Sequence, residues 1–260
     1  METIDPAMEE LLKNQDIARD FYHPNDYELV PYLLTDGQKH PFAIICPGGA
    51  YSMVCSYVEG DPFARKLNAM GYHAFVVYYH VREHARFPGP QNDLARAVKE
   101  VFSKAEEWNL DTHNYSVWGS SAGGHLVASF GTGNMGYPKY GLPKPGALVL
   151  IYPVVSMGPL THTETRGNLL GPEPKHEDIE FASVEKQITN SYPPTFLWSG
   201  DSDTIVSPEN SRMLFGELQK NAVPCLYREY PGIDHGAGLG TGTVCESWFT
   251  DAVDFWQAQK

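Results

Sequence analysis

Tyr115-Ser116-Val117-Trp118-Gly119-Ser120-Ser121-Ala122-Gly123-Gly124-His125-Leu126-Val127-Ala128 sets a short β-favouring run against a buried-helix pattern, with a glycine-flanked turn between them. Strand, sharp turn and helix form the setting in which G-x-S-x-G becomes a nucleophile elbow. Such a turn is strained, and a side chain at Gly119 or Gly123 would collide with neighbouring backbone. The strain lifts the Ser121 hydroxyl clear of the sheet edge. The N-terminus of the following helix favours negative charge developing beside it. By itself the pentapeptide is common in loops, so the remaining parts of a site must come from elsewhere in the chain.

The flanking sequence repeats the β-α alternation. Apolar strand-like runs occur at Phe42-Ala43-Ile44-Ile45-Cys46, at residues 73–79, at residues 147–152, at Thr195-Phe196-Leu197-Trp198 and at residues 225–230. Helical spacing is read at residues 61–70, 91–107, 207–221 and 245–257, and an extended segment at residues 27–34. This order predicts one α/β domain over residues 1–260 with a mostly parallel sheet and helices on both faces. Residues 1–26 read as an N-terminal arm. Residues 156–193 are long and irregular, with Gly158, Pro159, Gly167, Gly171, Pro172 and Pro174 among charges, and are expected to form a small cap or lid.

Composition excludes several classes. The 260 residues are 42% hydrophobic, enough for a sizeable core, and the 24 glycines and 20 prolines are dispersed as loop punctuation. A formal net charge of -13 argues against nucleic acid and anionic membrane surfaces as partners. No run approaches the roughly 18 apolar residues of a membrane-spanning helix. The first residues lack the basic and apolar regions of a signal peptide, and the four scattered cysteines show no C-x-x-C spacing. A reducing, cytoplasmic setting is the expectation.

Acyl transfer by a serine needs a base, an acid to orient it and donors for the oxyanion. After Ser121 in chain order come two acids, Asp201 and Asp203, beyond the strand ending at Trp198. His235 follows in Pro231-Gly232-Ile233-Asp234-His235-Gly236, beyond the strand ending at Tyr230. Each stands past a strand's carboxyl end. One oxyanion donor is the Ala122 amide. A second is available from Gly49 or Ala50 in Pro47-Gly48-Gly49-Ala50-Tyr51, where paired glycines let backbone amides face a ligand.

These segments resemble the α/β-hydrolase serine esterases, specifically the acetylxylan esterase-like and carbohydrate acetylesterase group. The likeness rests on the Pro47–Tyr51 oxyanion loop, the elbow from Gly119 to Leu126, the acid loop from Pro193 through Asp203-Thr204-Ile205-Val206 to Ser211, and the histidine loop at residues 231–236. It implies an α/β-hydrolase fold, a triad of Ser121, Asp203 and His235, and Asp201 as a loop former. No metal and no organic cofactor are implied. The implied substrate is a small ester such as an acetylated sugar or xylo-oligosaccharide. Pro47 departs from the commoner pattern, in which a histidine precedes the glycine pair. That keeps the donors, removes a polar orienter, and points away from kynurenine formamidase and hormone-sensitive-lipase relatives.

Other residues carry weaker expectations. Tyr51 and Met53 could wall the acyl pocket, with ordinary core as the competing role, and His80 could touch substrate from a loop at the site's mouth. His80-Val81-Arg82-Glu83-His84 matches H-x-x-E-H, but the Pro-rich residues after it leave no room for the helix a zinc site needs. His125 is expected to pack or to bond backbone. Ser120 is a small residue that the turn tolerates. Two other functions stay in view: an amidase, formamidase or peptidase with the same triad, and a catalytically silent hydrolase fold that only binds. A homodimer is the assembly to test.

Overall fold

Parallel strands buried on both faces must be almost wholly apolar, and four of the runs above meet that requirement. A computed structural model describes residues 26–259, so the arm expected at residues 1–26 lies, except for Asp26, outside the described residues. The strands are β1 (Glu28–Tyr32), β2 (His40–Cys46), β3 (His73–Tyr78), β4 (Leu110–Ser120), β5 (Ala147–Ile151), β6 (Thr195–Gly200) and β7 (Cys225–Tyr230). They form one sheet in the order β1-β3-β2-β4-β5-β6-β7, antiparallel only where β1 joins β3. Every residue of β3, β5 and β6 is buried, whereas the edge strands β1 and β7 are not. The expected mostly parallel sheet is present.

Between the strands run α1 (Ser56–Glu59), α2 (Asp61–Ala69), α3 (Gly89–Ser103), α4 (Ser121–Phe130), α5 (Thr163–Leu170), α6 (His176–Ala182) and α7 (Glu209–Lys220), and α8 (Trp248–Gln257) follows β7. The connection β2-α2-β3 steps one way along the sheet and β3-α3-β4 steps the other. Right-handed crossovers therefore put α2 and α3 on opposite faces. Phe63 of α2 stacks edge-on with Trp248 of α8 at 5.4 Å. The reversal of direction lies between β2 and β4, and a crevice opens at the carboxyl ends of strands where the winding reverses. The Pro47–Tyr51 loop and Ser121 stand on either side of it.

Boundaries move for local reasons. Helix α3 starts at Gly89, ahead of the expected 91, because Pro90 fits the first turn, where no backbone donor is needed. Strand β4 extends back to Leu110 through the polar Asp111-Thr112-His113-Asn114; Leu110 and Asp111 pair with His40 and Pro41, and the register shifts before Ala43. Residues 156–193, irregular in sequence, contain α5, α6 and a short 3-10 turn at Val184–Gln187. They are tied to the body of the domain: Asn210 Oδ1 accepts from the Val155 and Ser156 amides, and the Phe87 amide donates to Leu169 O. Among the described residues no helix is long and apolar enough to cross a membrane.

His125 of α4 is fully buried, with Nε2 2.9 Å from Ala182 O and Nδ1 3.0 Å from the Tyr51 hydroxyl. A carbonyl only accepts, so Nε2 carries the hydrogen and Nδ1 accepts from Tyr51. The ring is held neutral, and burial pushes its pKa down from 6.5 to about 4. Above about 6.5 both folded and unfolded chains hold this histidine neutral. As pH falls toward 4 the unfolded chain takes up a proton that the native state refuses, and stability is lost. The expected contribution is about 1.5 kcal/mol lost between pH 6.5 and 5. Urea unfolding at the two pH values checks it: the fall is larger in the wild type than in His125→Gln.

Candidate active site

Ser121 is the first residue of α4 and has a left-handed backbone, φ +52°, at the end of β4. Two close approaches make the turn possible. A Cβ on Gly119 would lie 2.3 Å from Gly123 O, and one on Gly123 would lie 2.1 Å from Cys46 O. Both are far inside contact distance, so these glycines are required by packing. Strand β2 can thus press against the start of α4, bringing the loop after Cys46 beside the serine.

The loops after β6 and β7 supply the rest. His235 Nε2 stands 2.9 Å from Ser121 Oγ, and His235 Nδ1 stands 2.6 Å from Asp203 Oδ2. The Asp203 side chain is 1% exposed and that of His235 14%. Asp203 Oδ1 accepts the amides of Ile205 at 3.0 Å and Val206 at 2.8 Å, which leaves Oδ2 to the imidazole. The structure thus brings Ser121, His235 and Asp203 into one hydrogen-bonded chain. Asp201 is exposed and accepts from the Gly232 amide and the Ser202 hydroxyl. It joins the two loops and does not reach the ring. Asp234 also ties them, accepting from the Thr204 and His235 amides, and these bonds hold its carboxyl below the usual range.

The Pro47–Tyr51 loop has φ +121° at Gly49, +55° at Ala50 and +58° at Tyr51. Among the described residues, the amides of Gly49, Ala50 and Ala122 donate to no protein acceptor, while that of Gly48 is committed to Glu59 Oε2 at 2.6 Å. Free amides beside a serine are what an oxyanion requires. The loop is anchored on both sides of them. Tyr79 donates to Pro47 O at 2.5 Å, Asn168 of α5 to Ala50 O at 2.9 Å, and the Arg82 amide to Tyr51 O at 2.7 Å.

A cavity of about 350 Å³ opens over Ser121 and His235, walled by Met53, Val58, Ile205 and His162. A larger groove, about 470 Å³, lies beyond Val58 and contains neither Ser121 nor His235. Proximity to the nucleophile assigns the smaller one as the candidate site. Met53 lines it. Tyr51 does not: its left-handed backbone turns the ring into the core between Tyr79 and His125, leaving it unexposed. His80 also lies away from the cavity, with its amide and Nδ1 both 2.8 Å from Asp93 Oδ2. The end of β3 directs it toward α3. His84, the other histidine of H-x-x-E-H, sits in a three-residue 3-10 turn (Arg82–His84), and the pair shares no helix. Asp26, His80 and Asp93 have ligand atoms close together, but this side-chain cluster is an acid-histidine pairing outside the cavity.

Sequence reasoning missed Glu59, Tyr152, His162 and Asn168. Glu59 reads as one of many surface acids in a charged segment, yet it is 4% exposed and lines the cavity. Tyr152 reads as the end of an apolar strand, yet its ring lies 4.8 Å from that of His235, edge-on. Burial pushes the Tyr152 phenol well up, so it stays a donor. His162 and Asn168 lie in the segment without a readable pattern. Half-burial pushes the His162 pKa down, and its Nδ1 is 2.9 Å from Thr165 Oγ1.

Comparison with known proteins shows the family. The family model described as BD-FAE matches residues 32–218. An acetyl ester-xyloside bifunctional hydrolase from Caldicellulosiruptor lactoaceticus has a similar structure, with a TM-score of 0.82 and 31% identity, over 91% of this chain and 89% of that one. An endo-1,4-beta-xylanase B from Butyrivibrio fibrisolvens is 31% identical over 85% of this chain, and an acetylxylan esterase from Xylanibacter ruminicola 30% identical over 75%. The aligned residues span only 36% and 40% of those two proteins. The family match covers both the oxyanion loop and the elbow. The chain belongs to the BD-FAE family, within the α/β-hydrolase esterases.

Proposed function

We propose that this chain is a serine esterase that removes short acyl groups, acetyl above all, from sugars or xylo-oligosaccharides through an acyl-enzyme. The observation that carries the reading is the Ser121–His235–Asp203 chain of 2.9 and 2.6 Å contacts at the floor of a small cavity. Ser121 Oγ attacks the ester carbonyl while His235 Nε2 takes its proton, and Asp203 holds the imidazole in the tautomer that can accept it. The carbonyl oxygen becomes an oxyanion bound by the Ala122 amide and an amide of Gly49 or Ala50. Collapse expels the alcohol, which receives the proton from His235. Water then attacks the acyl-Ser121 ester with the same base and the same donors, releasing the acid and the free serine.

The acetyl-sugar assignment is supported by the acetylxylan esterase and acetyl ester-xyloside hydrolase among the relatives. A series of p-nitrophenyl esters from acetate to octanoate tests the acyl side. Acetate or propionate is the preferred ester, with kcat/KM falling about tenfold or more by octanoate. Acetylated xylo-oligosaccharides release acetate in the same preparation, whereas N-acetyl, N-formyl and peptide substrates turn over far more slowly. Faster turnover of the amides would move the reading to an amidase. No turnover with any of them would leave a fold that only binds.

A further inference from the structure

Glu59 is a carboxylic acid buried beside the proposed site, and the mechanism above gives it no work. Both oxygens are held by donors. The Gly48 amide lies 2.6 Å from Oε2, and the Tyr152 hydroxyl donates to Oε1 at 2.7 Å. Tyr152 in turn accepts the Gly238 amide at 3.2 Å, three residues past His235. One carboxylate therefore links the oxyanion loop, the end of β5 and the histidine loop. Among the described residues no lysine or arginine forms an ion pair with it. Removing a carboxylate from water without a cation is costly, so its two donors must hold it firmly. Burial pushes its pKa up; both hydrogen bonds and nearby His235 favour the charged form.

Gly48 is confined between this carboxylate and the nucleophile. A Cβ there would lie 2.8 Å from Glu59 Oε2 and 2.9 Å from Ser121 Cβ. The peptide plane after Gly48 carries the Gly49 amide, and the left-handed turn at Gly49 and Ala50 follows from it. Pro47, where a histidine would stand in the commoner pattern, has no amide hydrogen and no polar side chain to orient this loop. We propose that Glu59 is the positioning residue of the oxyanion loop, fixing Gly48 so that the next amides face the tetrahedral oxygen and coupling that loop through Tyr152 to the loop bearing His235. The inference rests on the serine-esterase reading and adds a residue to it.

Glu59→Gln is the test, because it keeps the volume but replaces one acceptor with an NH2 that must meet a donor, either the Gly48 amide or the Tyr152 hydroxyl. A small displacement of oxyanion donors costs about 10- to 100-fold. The expected result is a fall of that size in kcat for p-nitrophenyl acetate with KM little changed. Affinity for a methyl trifluoromethyl ketone, which adds Ser121 Oγ to form an oxyanion hemiketal, falls by the same factor. Tyr152→Phe removes only the hydroxyl link and gives a smaller loss, and the double variant is no worse than Glu59→Gln alone. If Glu59→Gln does not fold, ketone affinity in Tyr152→Phe decides the matter. Wild-type kcat and ketone affinity in the folded variant would overturn the inference, as would losses that merely track the fraction of sites titrated by a fluorophosphonate. A wild type inert to p-nitrophenyl acetate and to the fluorophosphonate would instead overturn the esterase reading.

Discussion

Ser121→Ala lowers kcat for p-nitrophenyl acetate by roughly 10⁴-fold or more, while KM and the unfolding midpoint change little. Among the described residues, the hydroxyl's one bond to a side chain is the 2.9 Å contact with His235 Nε2. Removing it leaves the elbow's packing intact, because the close contacts there belong to Gly119 and Gly123. On the proposed mechanism, what remains is an oxyanion pocket and a base with no nucleophile to deprotonate. A second substitution in the same relay then costs little: His235→Ala alone is expected to match Ser121→Ala within about tenfold, and the double variant is no worse. Steady-state kinetics on the three proteins provides the check. Independent, multiplicative losses would mean that the two residues do not act as a unit.

Asp203→Asn is expected to lower kcat by about 10³- to 10⁴-fold with the fold unchanged. The reason lies in how its two oxygens are used. Oδ1 accepts the Ile205 and Val206 amides, so the oxygen of an asparagine stays there and its NH2 turns toward His235. An NH2 facing Nδ1 makes that nitrogen the acceptor and puts the ring hydrogen on Nε2. In that tautomer the imidazole donates to Ser121 and cannot take its proton. Asp201→Asn, by contrast, keeps the acceptor for the Gly232 amide and has an effect within about threefold, since the residue never touches the ring. Comparison of kcat/KM for the two variants separates the acids that the sequence leaves as alternatives. Equal losses would assign the orienting role to the loop as a whole.

The parts of this site that were legible in the sequence share a physical signature. Ser121, Asp203 and His235 each follow the carboxyl end of a strand and stand among glycines or small residues, because loops at a sheet's carboxyl edge must turn tightly there. The parallel sheet was legible for a related reason: strands covered on both faces have to be continuously apolar, as β3, β5 and β6 are. Glu59 and Tyr152 were hidden because their roles depend on tertiary burial, which local sequence does not encode. A glutamate in a four-residue helix looks solvated until Tyr152, from 93 positions away, covers it. Tyr51 was misplaced because nothing local announces its left-handed turn, and His80 because its partner Asp93 comes from the next helix. Residues 156–193 gave no pattern: α5 has Leu169 and Leu170 side by side, with no apolar stripe to mark a helix face. Their place is set instead by single hydrogen bonds such as Asn168 to Ala50.

Ser121 is the group that becomes acylated in the proposed mechanism. Peptide-mapping mass spectrometry after reaction with a fluorophosphonate measures that directly. The adduct is expected on Ser121 at one per chain, with esterase activity lost in proportion and no adduct in Ser121→Ala. An adduct on another residue, or an unlabelled protein that still turns over p-nitrophenyl acetate, would contradict it.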